Sequence, residues 1–297
     1  MHKHKTLPKP EPCIGLGLRH LHYDQALNHQ VEDAPIDFVE IHAENFFAKG
    51  GITRALLDDV QNKYSLSVHG TSLGLGSQMA LPQDTLAQFV ELVNRTQPML
   101  VSEHLCFNRA MVGNKIYHSG DLLPIAYNDA SLMQIVGNIQ QLQDAIKRPI
   151  LIENLSAYML PSDIDESSAD TMQEFEFLVS MCEQAGCGLL LDLNNLLVNA
   201  LNQKSPEVLD SAFAKIKTLP AHLVGEIHLA GFSERQVAGF IIDDHGQAVS
   251  EQCWQLYAQV VKHLGHVPTL VEWDTNLPEW QVLVKQTQIA RSIAIGA

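Results

Sequence analysis

The sequence predicts an α/β fold, a single (β/α)8 TIM barrel covering residues 1–297, with residues 1–12 as a flexible N-terminal tail. Three observations support it. Brief apolar runs alternate with longer stretches of helical period, the alternation is repeated eight times, and ionisable residues gather at the ends of the apolar runs.

The candidate strands are residues 14–18, 38–41, 66–69, 100–104, 150–153, 189–192, 225–229 and 269–272. They are short and rich in β-branched residues or leucine, as strands buried on both faces should be. Between them, residues 84–98 place Leu86, Phe89, Val90 and Val93 at helical spacing, and 128–147 repeat Leu132, Ile135, Ile139, Leu142 and Ile146 on one face. Residues 170–185 carry Met172, Phe175, Leu178 and Val179 and stop at Gly186, a C-terminal cap by its freedom to turn left-handed. Segments 250–264 and 276–293 complete the series, and the first two crossings, 24–31 and 52–62, are shorter. Residues 157–169, with Pro161 and Ser/Asp enrichment, read as a surface loop after the fifth strand.

An open, doubly wound sheet is the competing architecture. It normally carries a glycine-rich phosphate loop after its first strand. Here Gly15 and Gly17 lack a third glycine at the required spacing, so the phosphate-loop reading is discarded.

Composition narrows the partners. The chain has 34 acidic against 19 basic residues and a formal net charge of −15, which opposes binding along a phosphate backbone and makes nucleic acid an unfavourable partner. The five cysteines, Cys13, Cys106, Cys182, Cys187 and Cys253, are odd in number and show no C-x-x-C spacing. They read as reduced thiols of a cytoplasmic protein. The polar, proline-broken start resembles no secretory signal, and no apolar run is long enough for a membrane span.

The informative pattern is where the ionisable side chains fall. His69, His104, Glu153, Asp192 and Glu272 each end a candidate strand; Glu226 and His228 lie in the seventh with the same inward parity, and Asp243 and His245 follow it in a long loop. A barrel gathers the carboxyl ends of all its strands at one mouth. A lone histidine at a strand end is usually a hydrogen-bonded core or rim residue. A run of six strand ends bearing His, His, Glu, Asp, His and Glu points instead to cations, because carboxylates crowded together repel unless they are neutralised. Asn195, one helical turn beyond Asp192, offers an amide oxygen. The set is all nitrogen and oxygen, which disfavours an iron–sulfur cluster or structural zinc and leaves Zn, Mn and non-haem Fe open. His22, Glu44, Asn154, Glu226 and Asp274 are read as contacts to the substrate or to the ligands, and His20, His42 and His118 as rim or substrate contacts or as residues without a role.

The motifs His69-Gly70, Ser102-Glu103-His104-Leu105, Leu151-Ile152-Glu153-Asn154, Leu191-Asp192-Leu193-Asn194-Asn195, Glu226-Ile227-His228-Leu229-Ala230-Gly231, Asp244-His245-Gly246 and Val271-Glu272-Trp273-Asp274 resemble the multinuclear non-haem iron-dependent oxidative enzymes, relatives of the methanobactin biosynthesis oxidase. The resemblance runs from about Ile14 to Pro278. That family's barrel is similar in turn to endonuclease IV and the xylose isomerases. Carried over residue by residue, the resemblance implies that His69, His104 and Glu153 hold one metal. Glu153 bridges to a second, completed by Asp192, His228 and Glu272. Asp243 and His245 hold a third, with Asn195 where endonuclease IV has a histidine, a weaker ligand that also argues against zinc-dependent DNA cleavage.

The resemblance further implies two or three iron ions, dioxygen as oxidant, a cysteine-containing residue of a ribosomally made precursor peptide as substrate, and a separate partner protein that binds the peptide's leader. The alternative is a Zn- or Mn-dependent hydrolase or isomerase in the same barrel; a non-catalytic metal-binding protein is a third reading. Metal content and oxygen consumption separate them.

Overall fold

The computed structural model describes residues 11–30, 34–158, 172–233, 236–237 and 239–297. The expected tail, residues 1–12, and the expected loop, 157–169, fall mostly outside them. The strands are β1 (Ile14–Gly17), β2 (Phe38–His42), β3 (Ser65–Gly70), β4 (Leu100–His104), β5 (Phe107–Val112), β6 (Lys115–Leu123), β7 (Leu151–Glu153), β8 (Gly188–Asp192), β9 (Val224–Leu229), β10 (Gln236–Val237), β11 (Phe240–Ile241) and β12 (Thr269–Val271). The helices are α1 (Tyr23–Asn28), α2 (Ile52–Lys63), α3 (Gln83–Thr96), α4 (Asp129–Ile146), α5 (Glu174–Ala185), α6 (Leu193–Asn202), α7 (Val208–Ile216), α8 (Glu251–Leu264) and α9 (Trp280–Gly296).

Eight parallel strands close in the order β1-β12-β9-β8-β7-β4-β3-β2, the barrel that the alternation of runs predicts. All eight expected strands are present. Strand interiors such as Ile41, Val68, Ile152, Leu191 and Ile227 are buried against the helices, as a sheet covered on both faces requires.

The helix ends follow local chemistry. Asn128 caps α4 by accepting from Ser131 N at 2.9 Å. Gly186 ends α5 at φ 69°, as its position in the sequence predicts. Ser250 caps α8 through Cys253 N at 3.1 Å. The last helix starts at Trp280 rather than near Asn276. Pro278 explains the delay, because the residue before a proline is pushed out of the helical region.

Three features were not expected. The connection from β8 to β9 holds two helices, α6 and α7. The connection from β4 to α4 is an antiparallel ribbon, β5–β6, turning at Gly113 (φ 61°) and bulged where Phe107 pairs with Leu123 and Arg109 with His118. A smaller ribbon, β10–β11, lies in the loop after β9. Among the described residues no helix is long and apolar enough to cross a membrane.

The two glycines of β1 have a packing reason. A methyl group on Gly15 would clash with the ring of buried Phe38, and one on Gly17 would sit 3.2 Å from Nη1 of Arg19. They make room for those side chains.

Candidate metal centre

Strand register decides which side chains meet. His42 pairs with His69, His69 with Ser102, His104 with Glu153, and Asp192 with His228. Their side chains converge at the carboxyl end of the barrel, where loops can be shaped without disturbing the core. Glu272, just past β12, stays in register through its N–H donating to Leu229 O at 2.9 Å.

At one side of the mouth, Nε2 of His69 and Nε2 of His104 each lie 3.3 Å from Oε2 of Glu153 and 3.3 Å from each other. Donors held at about 2.1 Å from one ion stand about 3.0–3.4 Å apart, so these three atoms have the separation of ligands to a single ion. The rings are turned by their other nitrogens. Nδ1 of His69 is 2.7 Å from Ser102 Oγ, and Nδ1 of His104 donates to Gly70 O at 3.2 Å. A carbonyl only accepts, so a neutral His104 keeps its proton on Nδ1 and presents the electron pair on Nε2.

Glu153 also groups with Asp192 and His228, and Asp192 with His245 and Glu272, each trio with ligand atoms close enough for one ion. Glu272 Oε2 is 3.0 Å from Nδ1 of His228 and 3.2 Å from Nδ1 of His245. Asp243 Oδ1 is 2.9 Å from Nε2 of His245 and accepts from Asn194 Nδ2 at 2.7 Å. Asn195 opens α6, whose N-cap is Asp192: Asp192 Oδ1 accepts from Asn195 N at 2.6 Å, and Asn195 Nδ2 donates to Asn154 O at 2.9 Å.

Glu153 Oε2, Asp192 Oδ2 and Asn195 Oδ1 are buried and have no hydrogen-bond partner. Leaving several such atoms buried and unmatched is costly unless a cation or proton serves them. Protonation behaviour agrees. Burial pushes Glu153 up to about 8 and Asp192 up to about 7, so carboxylates here keep protons where a cation would otherwise sit. Burial lowers the charge affinity of His69, and the neighbouring His104 and His228 hold it well below its ordinary value. For His104 burial is outweighed by Glu153 and Glu103, which bring it to about 9. Burial would raise Glu272, but His245 and His228 hold it well below the carboxylate range. The donor set and its unmatched atoms therefore fit divalent cations.

The remaining expected residues are dispersed. Asp274 borders the mouth and accepts from Arg19 Nε at 2.6 Å. Glu226 lies inside the barrel below His228, fully buried. Asn154 clamps β7 to β8, exchanging hydrogen bonds with the backbone of Asp192. Glu44 pins the loop after β3 by accepting from Thr71 N and Ser72 Oγ. The structure does not bring His22 to the mouth: its Nε2 meets Pro278 O at 2.8 Å and its ring packs near Trp280.

Two residues at the centre were not singled out from the sequence, Glu40 and Arg19. Glu40 has the same inward parity as His42 in β2 and is fully buried. Arg19 lies just beyond β1, and its Nη2 donates to Glu272 Oε1 at 3.0 Å. A charged residue inside an otherwise apolar run was the available signal for Glu40.

The mouth holds a cavity of about 310 Å³ lined by His69, His104, Glu153, Asn195, His245 and Glu272, together with Asp121, Leu122 and Tyr158. A larger depression of about 660 Å³ beside Phe175, Val179 and Lys215 contains no histidine and lies away from this chemistry.

Residues 13–295 match the sequence profile of a family described as RiPP precursor modification enzyme MbnB/TglH/ChrH. The chain belongs to the MbnB/TglH/ChrH family. Among its relatives, a UPF0276 protein of Chromobacterium violaceum is 41% identical over 288 residues, 97% of this chain and 96% of that one. A UPF0276 protein of Paraburkholderia phytofirmans is 40% identical, covering 94% of this chain and 86% of the relative. The fold is similar to that of a xylose isomerase domain containing protein from Salmonella typhimurium (TM-score 0.60, 12% identity, 98% and 100% of the two chains). It is similar also to that of endonuclease IV from Thermus thermophilus (TM-score 0.57, 12% identity, 96% and 100%). At 12% identity these two structural similarities speak to the barrel alone.

Proposed function

We propose that this chain is a multinuclear non-haem iron enzyme of the cytoplasm that uses dioxygen to oxidise a cysteine-containing residue of a ribosomally made precursor peptide. The observation that carries the reading is the 3.3 Å triangle of His69 Nε2, His104 Nε2 and Glu153 Oε2, continued into unpartnered atoms of Asp192 and Asn195. Membership of a family of precursor-modifying enzymes supports a peptide substrate.

In this reading His69, His104 and Glu153 hold one ion. Glu153 is shared with a second, held by Asp192, His228 and Glu272, and Asn195, Asp243 and His245 hold a third. Bound iron would supply oxygen activation and a Lewis-acidic position for a substrate thiolate. The chain's own contribution is to orient and to exclude water. A volume of about 310 Å³ admits one or two residues of an extended peptide, not a folded domain. Leu122 and Leu155 provide apolar wall, while Asp121, Tyr158 and Thr275 offer polar contacts to a peptide backbone. Arg19 offsets the negative charge of Glu272 and Asp274 at the barrel wall. A separate leader-binding protein would deliver the peptide, as the family resemblance implies.

The test is protein purified without oxygen, analysed for metals and by Mössbauer spectroscopy, then supplied with oxygen and a cysteine-containing peptide encoded beside its gene. Two or three irons per chain and peptide-dependent oxygen uptake are expected. Stoichiometric zinc or manganese with no oxygen uptake would overturn the oxidase in favour of a hydrolase or isomerase, which the all-nitrogen-and-oxygen donor set also accommodates.

A further inference from the structure

Below the mouth, inside the barrel, two glutamates face the back of His228. Its Nδ1 points to Glu272 Oε2 at 3.0 Å, towards the proposed ligands, while Nε2 is 3.4 Å from Glu40 Oε2 and 3.8 Å from Glu226 Oε1. All three side chains are completely buried. Glu40 Oε2 is fixed from β3 by Ser67 Oγ, which donates to it at 3.2 Å. Glu40 Oε1 and both oxygens of Glu226 have no other hydrogen-bond partner, and these two carboxylates are the acceptors that face Nε2 of His228. A carboxylate buried at the centre of a barrel is a costly substitute for the leucine or valine that usually fills such a layer. Its position argues for a task.

We propose that Glu40 is the positioning residue for His228: the Nε2–H of the imidazole donates to Glu40 Oε2, with Glu226 flanking the same N–H. Nδ1 is then left unprotonated and aimed at the space between Glu272 and Asp192. The inference rests on the reading of His228 as a metal ligand. A carboxylate behind a ligating histidine fixes its tautomer and ring orientation and makes it a stronger donor. The requirement is an acceptor at position 40 and does not depend on that acceptor's charge. Glutamine should therefore serve and leucine, of similar bulk, should not.

The experiment is titration of the metal-free full chain with Co(II), followed by its visible absorption, in wild type, Glu40→Gln and Glu40→Leu, with circular dichroism as the check of fold. The expected result is that Glu40→Gln stays within about three-fold of wild type. Glu40→Leu should weaken the Co(II) equivalent bound through His228 by about 10–100-fold, the usual cost of losing such a partner. Wild-type affinity in Glu40→Leu, or equal weakening in both variants, would overturn the role of Glu40 while leaving the metal centre standing. A wild type that binds no Co(II) would overturn both. If Glu40→Leu does not fold, long-range proton–nitrogen spectra of the zinc-loaded wild type decide: protonation of His228 at Nε2 supports the proposal and protonation at Nδ1 overturns it.

Discussion

The Nε2 atoms of His69 and His104 face each other across 3.3 Å, each the same distance from Glu153 Oε2. Two imidazole nitrogens that close cannot both carry protons. A bridging carboxylate serves two ions and an amide oxygen only one, so the two ligands should differ in what their loss removes. Glu153→Ala should strip more than about one equivalent of metal, and Asn195→Ala at most about one. Elemental analysis of both variants checks this, and equal losses would count against a two-plus-one arrangement.

Metal-free protein should lose stability as the pH rises. Burial lifts Glu153 to about 8 and Asp192 and Glu226 to about 7, above the carboxylate range of an unfolded chain. The folded state therefore binds more protons than the unfolded state across that window. Stability tied to these groups is fully present below the ordinary carboxylate range and is lost as pH rises through about 7 to about 8. His104, raised to about 9, acts in the same direction, over a window that begins near its ordinary value. Glu272 and Asp274, both lowered, act oppositely, and their contribution is lost in acid. Chelator-treated protein should melt at a higher temperature near about pH 6 than near about pH 9, and divalent metal should remove most of the difference. Scanning calorimetry with and without chelator would show it; a flat profile would contradict the crowding of carboxylates.

Arg19 should be hard to replace. Its Nε donates to Asp274 Oδ1 at 2.6 Å and its Nη2 to Glu272 Oε1 at 3.0 Å, from a largely buried position. Methionine there would leave Glu272 to His228 and His245 alone and take the cation from Asp274, at a cost of about 1.5–3 kcal/mol in metal-free protein. Lysine should recover only part, because one ammonium lacks the planar fork that reaches both carboxylates. Urea unfolding of the two variants measures this. The loss should shrink when metal is present, since a cation beside Glu272 replaces some of the missing charge.

The barrel and the mouth were unequally legible. The eight strands could be read because each is a brief run buried on both sides, and His69, His104, Glu153 and Asp192 stood out as ionisable last residues of such runs. Glu40 escaped because the second run, ended at Ile41, hid the inward pairing of Glu40 with His42. Arg19 escaped because its partners are more than 250 residues away, a separation no local pattern reports. The β5–β6 ribbon escaped for another reason. Much of β6 is exposed, so it has no buried face to impose an alternation, and its turn rests on a single glycine, Gly113. Helix α6 was masked by Asn194, Asn195 and Asn199, polar residues that work here as a capping-turn contact to the centre and as clamps on the loop after β7.

Gly15 gives a test of the barrel floor that involves no metal. A methyl group at this position would lie within 2.6 Å of three carbons of the fully buried Phe38 ring, a rigid plane. Gly15→Ala should therefore destabilise by about 1–3 kcal/mol through overpacking. Pairing it with Phe38→Leu should recover part of that loss, because the two residues share one volume and their effects cannot add. Gly137 supplies the contrast: it sits on the exposed face of α4 with nothing within 4 Å of an added methyl group. Gly137→Ala should stabilise by about 0.5–1 kcal/mol, the gain from removing glycine from a helix interior. Urea midpoints for the four variants decide the matter. If Gly15→Ala is neutral, Phe38 does not fill the barrel floor as described, and the room that Gly17 leaves for Arg19 beside Glu272 would need re-examination by the same substitution there.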